Sequence, residues 1–141
     1  MRYSELIQLY FERSNALQWY WTLYVVVIGG LLAFSSLRVR PDATTGTLVS
    51  ILFCLFAYKN LGAIHETMVQ RSAALQAVHQ LDDLDVSDVK RVSAIVESTL
   101  VAPAYEGVRN FHITCDLLTI AAIWAMELRR IRNTRKAVTT L

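Results

Sequence analysis

Charge is what this sequence has least of. Only 18% of its 141 residues are charged, against 54% hydrophobic, where an average soluble domain carries about 25% charged residues. A chain so poor in charge has lipid as its expected solvent. The formal net charge of +2 is too small for a nucleic-acid binder, and the basic residues are not interleaved with aromatics on one surface, so no nucleic-acid partner is expected. Cysteine is scarce too. Cys54 and Cys115 lack the Cys/His spacing of a zinc site, and both fall in apolar runs where a thiol behaves as a small hydrophobe. No nucleophile stands beside a base, no glycine loop suits a phosphate, and no carboxylates pair at a useful spacing. A non-enzymatic protein without a cofactor is therefore expected. Internal repeats and low-complexity segments are absent from the sequence as well.

What is present is a set of long apolar runs. No charge occurs from Ala16 to Leu37, a stretch that at 1.5 Å per residue covers the roughly 30 Å hydrocarbon core. Trp19, Tyr20, Trp21 and Tyr24 crowd its start and Arg38 and Arg40 close its end, an aromatic belt opposite a basic anchor. "AFS" (Ala33 to Ser35) fits a signal-peptide cleavage site only loosely, and the long lead-in carries Glu5 and Glu12, so a retained span over residues 16–38 is the better reading. Ahead of it, Tyr3, Leu6, Ile7, Tyr10, Ser14 and Leu17 recur at helical spacing, which predicts an interfacial amphipathic helix over 1–15. Asn15 followed by Gln18 reads as the N-cap that starts the first span.

Pro41 and Asp42 break the chain, and a second span is expected over 44–65, antiparallel to the first because the linker is short. Helical character continues through "HETMVQRSAALQAVHQL" until "DDLDVSD" interrupts it. Asp85 or Ser87 can cap a returning helix there, with Val89, Val92, Ile95 and Leu100 on its apolar face and a kink at Pro103. Residues 66–104 are thus expected to form an extramembrane antiparallel helical hairpin, followed by a third span over 105–127 and a basic tail over 128–141. The fold expected is an all-α integral membrane protein with three transmembrane helices. Five basic residues in "LRRIRNTRK", with Arg38 and Arg40 in the first turn, put both segments in the cytoplasm by the positive-inside rule. A plasma (inner) membrane location follows, with the N-terminus and the 66–104 hairpin on the opposite side.

A charge inside a span is costly and finds a partner, a cavity or the interface. Lys59 and Glu66 are seven residues apart on the second span, and Arg109 and Asp116 are seven apart on the third. Each pair shares a helix face. One antiparallel register sets Lys59 beside Asp116 and Glu66 beside Arg109, with opposite signs at both. The same residues could fix helix register or, with His112, line an ion or proton pathway. His65 and His112 at similar depth, with Asp116 near, raise the further possibility of a transition metal, although His65 lies about 120° round the helix from Lys59. Asp83, Asp85 and Ser87 fit the start of a calcium loop, but Asp88 and Ala94 stand where that loop needs Gly and Glu; a capped, solvated turn is expected.

Small residues repeat every fourth position: Gly29 and Ala33 on the first span, Gly46, Ser50 and Cys54 on the second. Such stripes let helices approach closely where lipid offers no hydrophobic drive. They can be spent on packing within one chain or on assembly between chains. The functions expected are a homo-oligomer, with a channel for an ion or small solute, or an accessory subunit of a larger membrane protein; a metal-dependent membrane enzyme is the third.

Overall fold

The computed structural model describes residues 3–82 and 104–139. Among the described residues there are three helices and no strand: α1 (Tyr3–Leu37), α2 (Ala43–Asp82) and α3 (Tyr105–Thr139). Their 35, 40 and 35 residues correspond to lengths of roughly 52, 60 and 52 Å. Each is long and apolar enough to cross a membrane, with turns to spare beyond a core of about 30 Å.

Local chemistry explains where α1 stops and α2 starts. Arg40 precedes Pro41, and a residue before proline is pushed out of the helical region. Asp42 then caps α2: its Oδ1 accepts the backbone N–H of Thr44 at 3.0 Å and of Thr45 at 3.2 Å, satisfying two donors that a helix start leaves free. The Thr45 hydroxyl bonds to the other carboxylate oxygen. These bonds hold the Asp42 carboxyl below its usual range; the Thr45 hydroxyl contributes most and nearby Arg38 adds to the effect.

α1 runs through Asn15 without interruption. Asn15 is therefore an interior residue and not an N-cap, and residues 3–15 are the first turns of α1, not a separate helix. Nothing stops propagation there, since neither glycine nor proline occurs between Tyr3 and Ile28. α2 likewise continues from its apolar run as far as Asp82. The expected acidic turn with Asp83, Asp85, Ser87 and Asp88, the expected returning helix through Ala94 and Leu100, and Pro103 lie outside the described residues. The basic segment after residue 127 belongs to α3, which stays helical through Thr139.

The described residues fall into two compact units. In the first (Met1–Tyr20 and Gly62–Val108), Leu6 and Tyr10 of α1 and Ile64, Met68, Ala74 and Val78 of α2 are buried. Leu6 and Tyr10 belong to the periodic N-terminal face, and this face packs on α2: the Arg71 guanidinium lies 5.6 Å from the Tyr10 ring centroid, a cation–π contact. Leu6, Leu9 and Arg13 border one shallow cavity with Gln70, Ala73 and Ala77.

In the second unit (Trp21–Leu61 and Arg109–Leu141), Tyr24 of α1 and Phe53 and Ala57 of α2 form the core, with Cys115 and Ile120 of α3 against them. Contacts fix the directions of the three segments. Tyr24 meets residues 112 and 116 of α3 while Arg38 meets residues 127 and 130, so α1 and α3 run parallel here. Asn60 meets His112 and Ser50 meets Trp124, so α2 runs antiparallel to both.

Part of α3 turns polar side chains inward and apolar ones outward. On α3, His112, Thr119 and Glu127 are buried at 0%, 5% and 1% exposure, whereas Phe111, Leu117 and Leu118 are more than 60% exposed. Only 11%, 22% and 22% of the apolar windows of the three helices are buried. Water makes this arrangement costly, and hydrocarbon favours it.

Candidate functional site

Polar side chains from all three helices meet inside the second unit. Tyr24 on α1 donates its hydroxyl to Asp116 Oδ1 at 2.7 Å, with the His112 carbonyl as a longer second acceptor at 3.2 Å. His112 Nδ1 lies 2.9 Å from Asp116 Oδ2, one turn along α3. On the other side of the ring, Nε2 lies 3.3 Å from the Asn60 amide nitrogen on α2. The imidazole is stacked on the Tyr24 ring at 4.0 Å and 30°, with the Trp21 ring 5.9 Å away.

Donor and acceptor roles follow from the inventory of the groups. An ionised Asp116 only accepts, so Nδ1 carries the hydrogen. In that tautomer the Nε2 lone pair is free to accept from the Asn60 amide. Both ring nitrogens are occupied and His112 is wholly buried, as satisfied polar groups in a core must be. Hydrogen bonds of this kind between membrane helices contribute about 0.6 kcal/mol each, rarely more than about 1.7. Their geometric effect is larger, because one cluster sets the register of three helices at once.

A second cluster closes the end of the unit that holds the α1–α2 turn. Glu127 of α3, 1% exposed, accepts from the Asp42 backbone N–H and from Arg130 Nη1 at 3.0 Å, and Arg38 Nη1 is 3.7 Å away. In a capping box the residue three positions into the helix bonds back to the N-cap N–H. Thr45 holds that position in α2, and Glu127 supplies the bond from another helix. Arg130 Nε in turn donates to the Arg38 carbonyl at 2.7 Å, satisfying an acceptor left free just past the end of α1. Between the clusters, Trp124 Nε1 donates to Ser50 Oγ at 3.2 Å, and Ser50 donates to the Gly46 carbonyl at 2.9 Å.

The residues singled out in the sequence are distributed differently from the expected pairs. Asp116 is engaged by Tyr24 and His112, and Lys59 is exposed; the Lys59–Asp116 ion pair does not form. Asn60 takes the inward place instead. One residue turns a helix by 100°, enough to move a side chain from the interface to the outer surface. Glu66 and Arg109 fall one in each unit and are both exposed; Arg109 makes a 3.5 Å hydrogen bond to its neighbour Asn110. His65 is exposed and packs on Tyr105 at 4.3 Å between ring centroids, whereas His112 engages the cluster above. Among the described residues no three His, Cys, Asp or Glu side chains gather as a metal site requires.

Gly46 is buried, Ser50 is half-buried and Cys54 is exposed. Gly29 and Ala33 are exposed, and a Cβ placed on Gly29 would meet nothing within 4 Å. Sequence reasoning missed Tyr24 as a ligand of Asp116, Asn60 and Glu127. Asn60 carried a usable signal, since an amide inside an apolar run needs a partner across a helix interface. Glu127 was hidden by the basic run that follows it.

The three helices of the described residues, with the polar cluster among them, are compatible with a multi-pass membrane protein. Compared with family models, curated proteins and solved structures, the chain matches none.

Proposed function

We propose that this chain is a non-enzymatic, multi-pass membrane protein that assembles with further copies of itself. The observation that carries the reading is the division of labour between the two small-residue stripes. Ser50 is engaged within the chain by Trp124 and Gly46 is buried, while Gly29 and Ala33 are exposed on α1; a Cβ on either glycine would meet nothing within 4 Å. A small-residue step facing outwards admits the close approach of another helix. A solute pathway in such an assembly runs between copies, because Tyr24, Phe53 and Ile123 fill the interior of the second unit. The inverted polarity of α3 supports the lipid partner. The meeting of the α1–α2 turn with Glu127 and Arg130 supports a common, cytoplasmic side for Arg38, Arg40 and the basic end of α3 at the plasma membrane, with the N-terminus opposite.

The test is the protein mass of the purified particle in detergent, for the native chain and for Gly29→Leu/Ala33→Leu. The expected result is a defined multiple of 16.0 kDa that falls to a single chain in the variant. A native particle of one chain, or one containing a different protein, refutes self-assembly; the latter is the result an accessory subunit gives. Flux through liposomes from the native chain that is lost in Gly29→Leu/Ala33→Leu adds the pathway.

A further inference from the structure

We propose that the Tyr24–Asp116–His112–Asn60 cluster is a proton-binding site, in which His112 Nε2 gains a hydrogen and the Asn60 amide turns over to receive it. With Asp116 ionised and the ring hydrogen on Nδ1, the cluster carries a net charge of −1, with His112 wholly buried and the Asp116 side chain 19% exposed. An unneutralised charge in such surroundings is costly. One added proton cancels it.

The bonding balances in either one-proton form. With an imidazolium, Nδ1–H still donates to the Asp116 carboxylate and the new Nε2–H bond points at Asn60. With a protonated Asp116, its O–H donates to Nδ1 and the ring hydrogen resides on Nε2. Both forms therefore place a donor on Nε2, where the Asn60 nitrogen now stands 3.3 Å away. A half-turn of the amide about its last bond presents the carbonyl oxygen instead, since the two ends of an Asn side chain have nearly the same shape. No hydrogen bond is lost, and Tyr24 keeps Asp116 as its acceptor. Few side chains at position 60 would allow this: Leu serves neither form, and Asp serves only the protonated one.

The surroundings of His112 contain little that competes. α1 presents the Tyr24 hydroxyl and the Trp21 ring. α2 presents Asn60, with Lys59 exposed. α3 contributes Asp116 and, one turn from His112, Cys115, which packs on the Tyr24 cluster. The proposal is independent of self-assembly, because all four residues belong to one chain.

The experiment is a titration of the full chain in lipid nanodiscs by nitrogen NMR, with ¹⁵N-labelled His and Asn, from about pH 4 to about pH 9. His65→Gln and His79→Gln leave His112 as the one imidazole reporting. The expected result is a single transition in which Nε2 changes from bare to protonated and the Asn60 side-chain amide signals move with the same midpoint. In Asn60→Asp the midpoint rises by about one pH unit or more, a tenfold gain in proton affinity. An Nε2 that stays bare throughout, a transition with the Asn60 amide unmoved, or an unshifted midpoint in Asn60→Asp overturns the proposal and leaves the cluster a static register lock. Particle mass plays no part in this readout.

Discussion

Tyr24→Phe isolates the bond that ties α1 to the buried cluster. The substitution removes one hydroxyl and keeps the ring, so the stacking on His112 at 4.0 Å and the edge contact with Trp21 at 5.8 Å remain. What disappears is a 2.7 Å bond to a carboxylate. Bonds to charged groups contribute about 1.5–3 kcal/mol in soluble proteins, but in a membrane the separated helices also find polar partners, and measured values stay below about 1.7 kcal/mol. The acceptor left behind, Asp116, keeps His112 as a partner, and its side chain is only 19% exposed. A cost near the top of the membrane range follows, about 1.5 kcal/mol.

The partner substitution, Asp116→Ala, has a built-in relief. The Tyr24 hydroxyl already lies 3.2 Å from the His112 carbonyl and can redirect to it. The double-mutant coupling should therefore be smaller than the single cost, about 1 kcal/mol. Reversible unfolding in mixed lipid–SDS micelles, run on the native chain, both single variants and the double, measures it. Coupling below about 0.3 kcal/mol, the level at which independent sites add, would show that the cluster is not an energetic unit and would refute the reasoning.

Glu127→Ala should destabilise the bundle by about 2 kcal/mol in the same assay, less than the 3–5 kcal/mol of a fully buried pair, because the Arg38 and Arg130 side chains keep 16% and 13% exposure and regain some water. Glu127→Gln, which retains an acceptor for the Asp42 N–H, should cost about half as much; equal losses would show that charge rather than the tertiary cap matters. The Asp42 carboxyl, held below its usual range chiefly by Thr45, gives a pH dependence of known sign: its contribution is present above the ordinary carboxylate value of about 3.9 and is lost as pH falls below that towards the folded value. Acid unfolding followed by circular dichroism should therefore be shallower in Asp42→Asn than in the native chain, and identical acid slopes would contradict the assignment.

Some features were legible because they are local. The break at Pro41 and the cap at Asp42 rest on restricted backbone angles and on a short side chain that reaches its own helix start. The three apolar runs rest on composition, which decides the solvent before any contact is made. The helices were less legible at their beginnings: the apolar periodicity around Leu6 and Tyr10 marked a buried face correctly as apolar, yet only packing on α2 near Arg71 shows what covers it.

The sequence by itself determined the apolarity of the three runs, the site of the first turn and the presence of polar groups within those runs. Only the tertiary structure decided which of those polar groups face one another. A helix apolar on every side has no stripe to announce its inner face, so the choice between Lys59 and Asn60, a rotation of 100°, is made by the neighbours. The same holds for Glu127, whose partners Asp42 and Arg38 lie more than eighty residues earlier in the chain and become adjacent only when α1, α2 and α3 pack together.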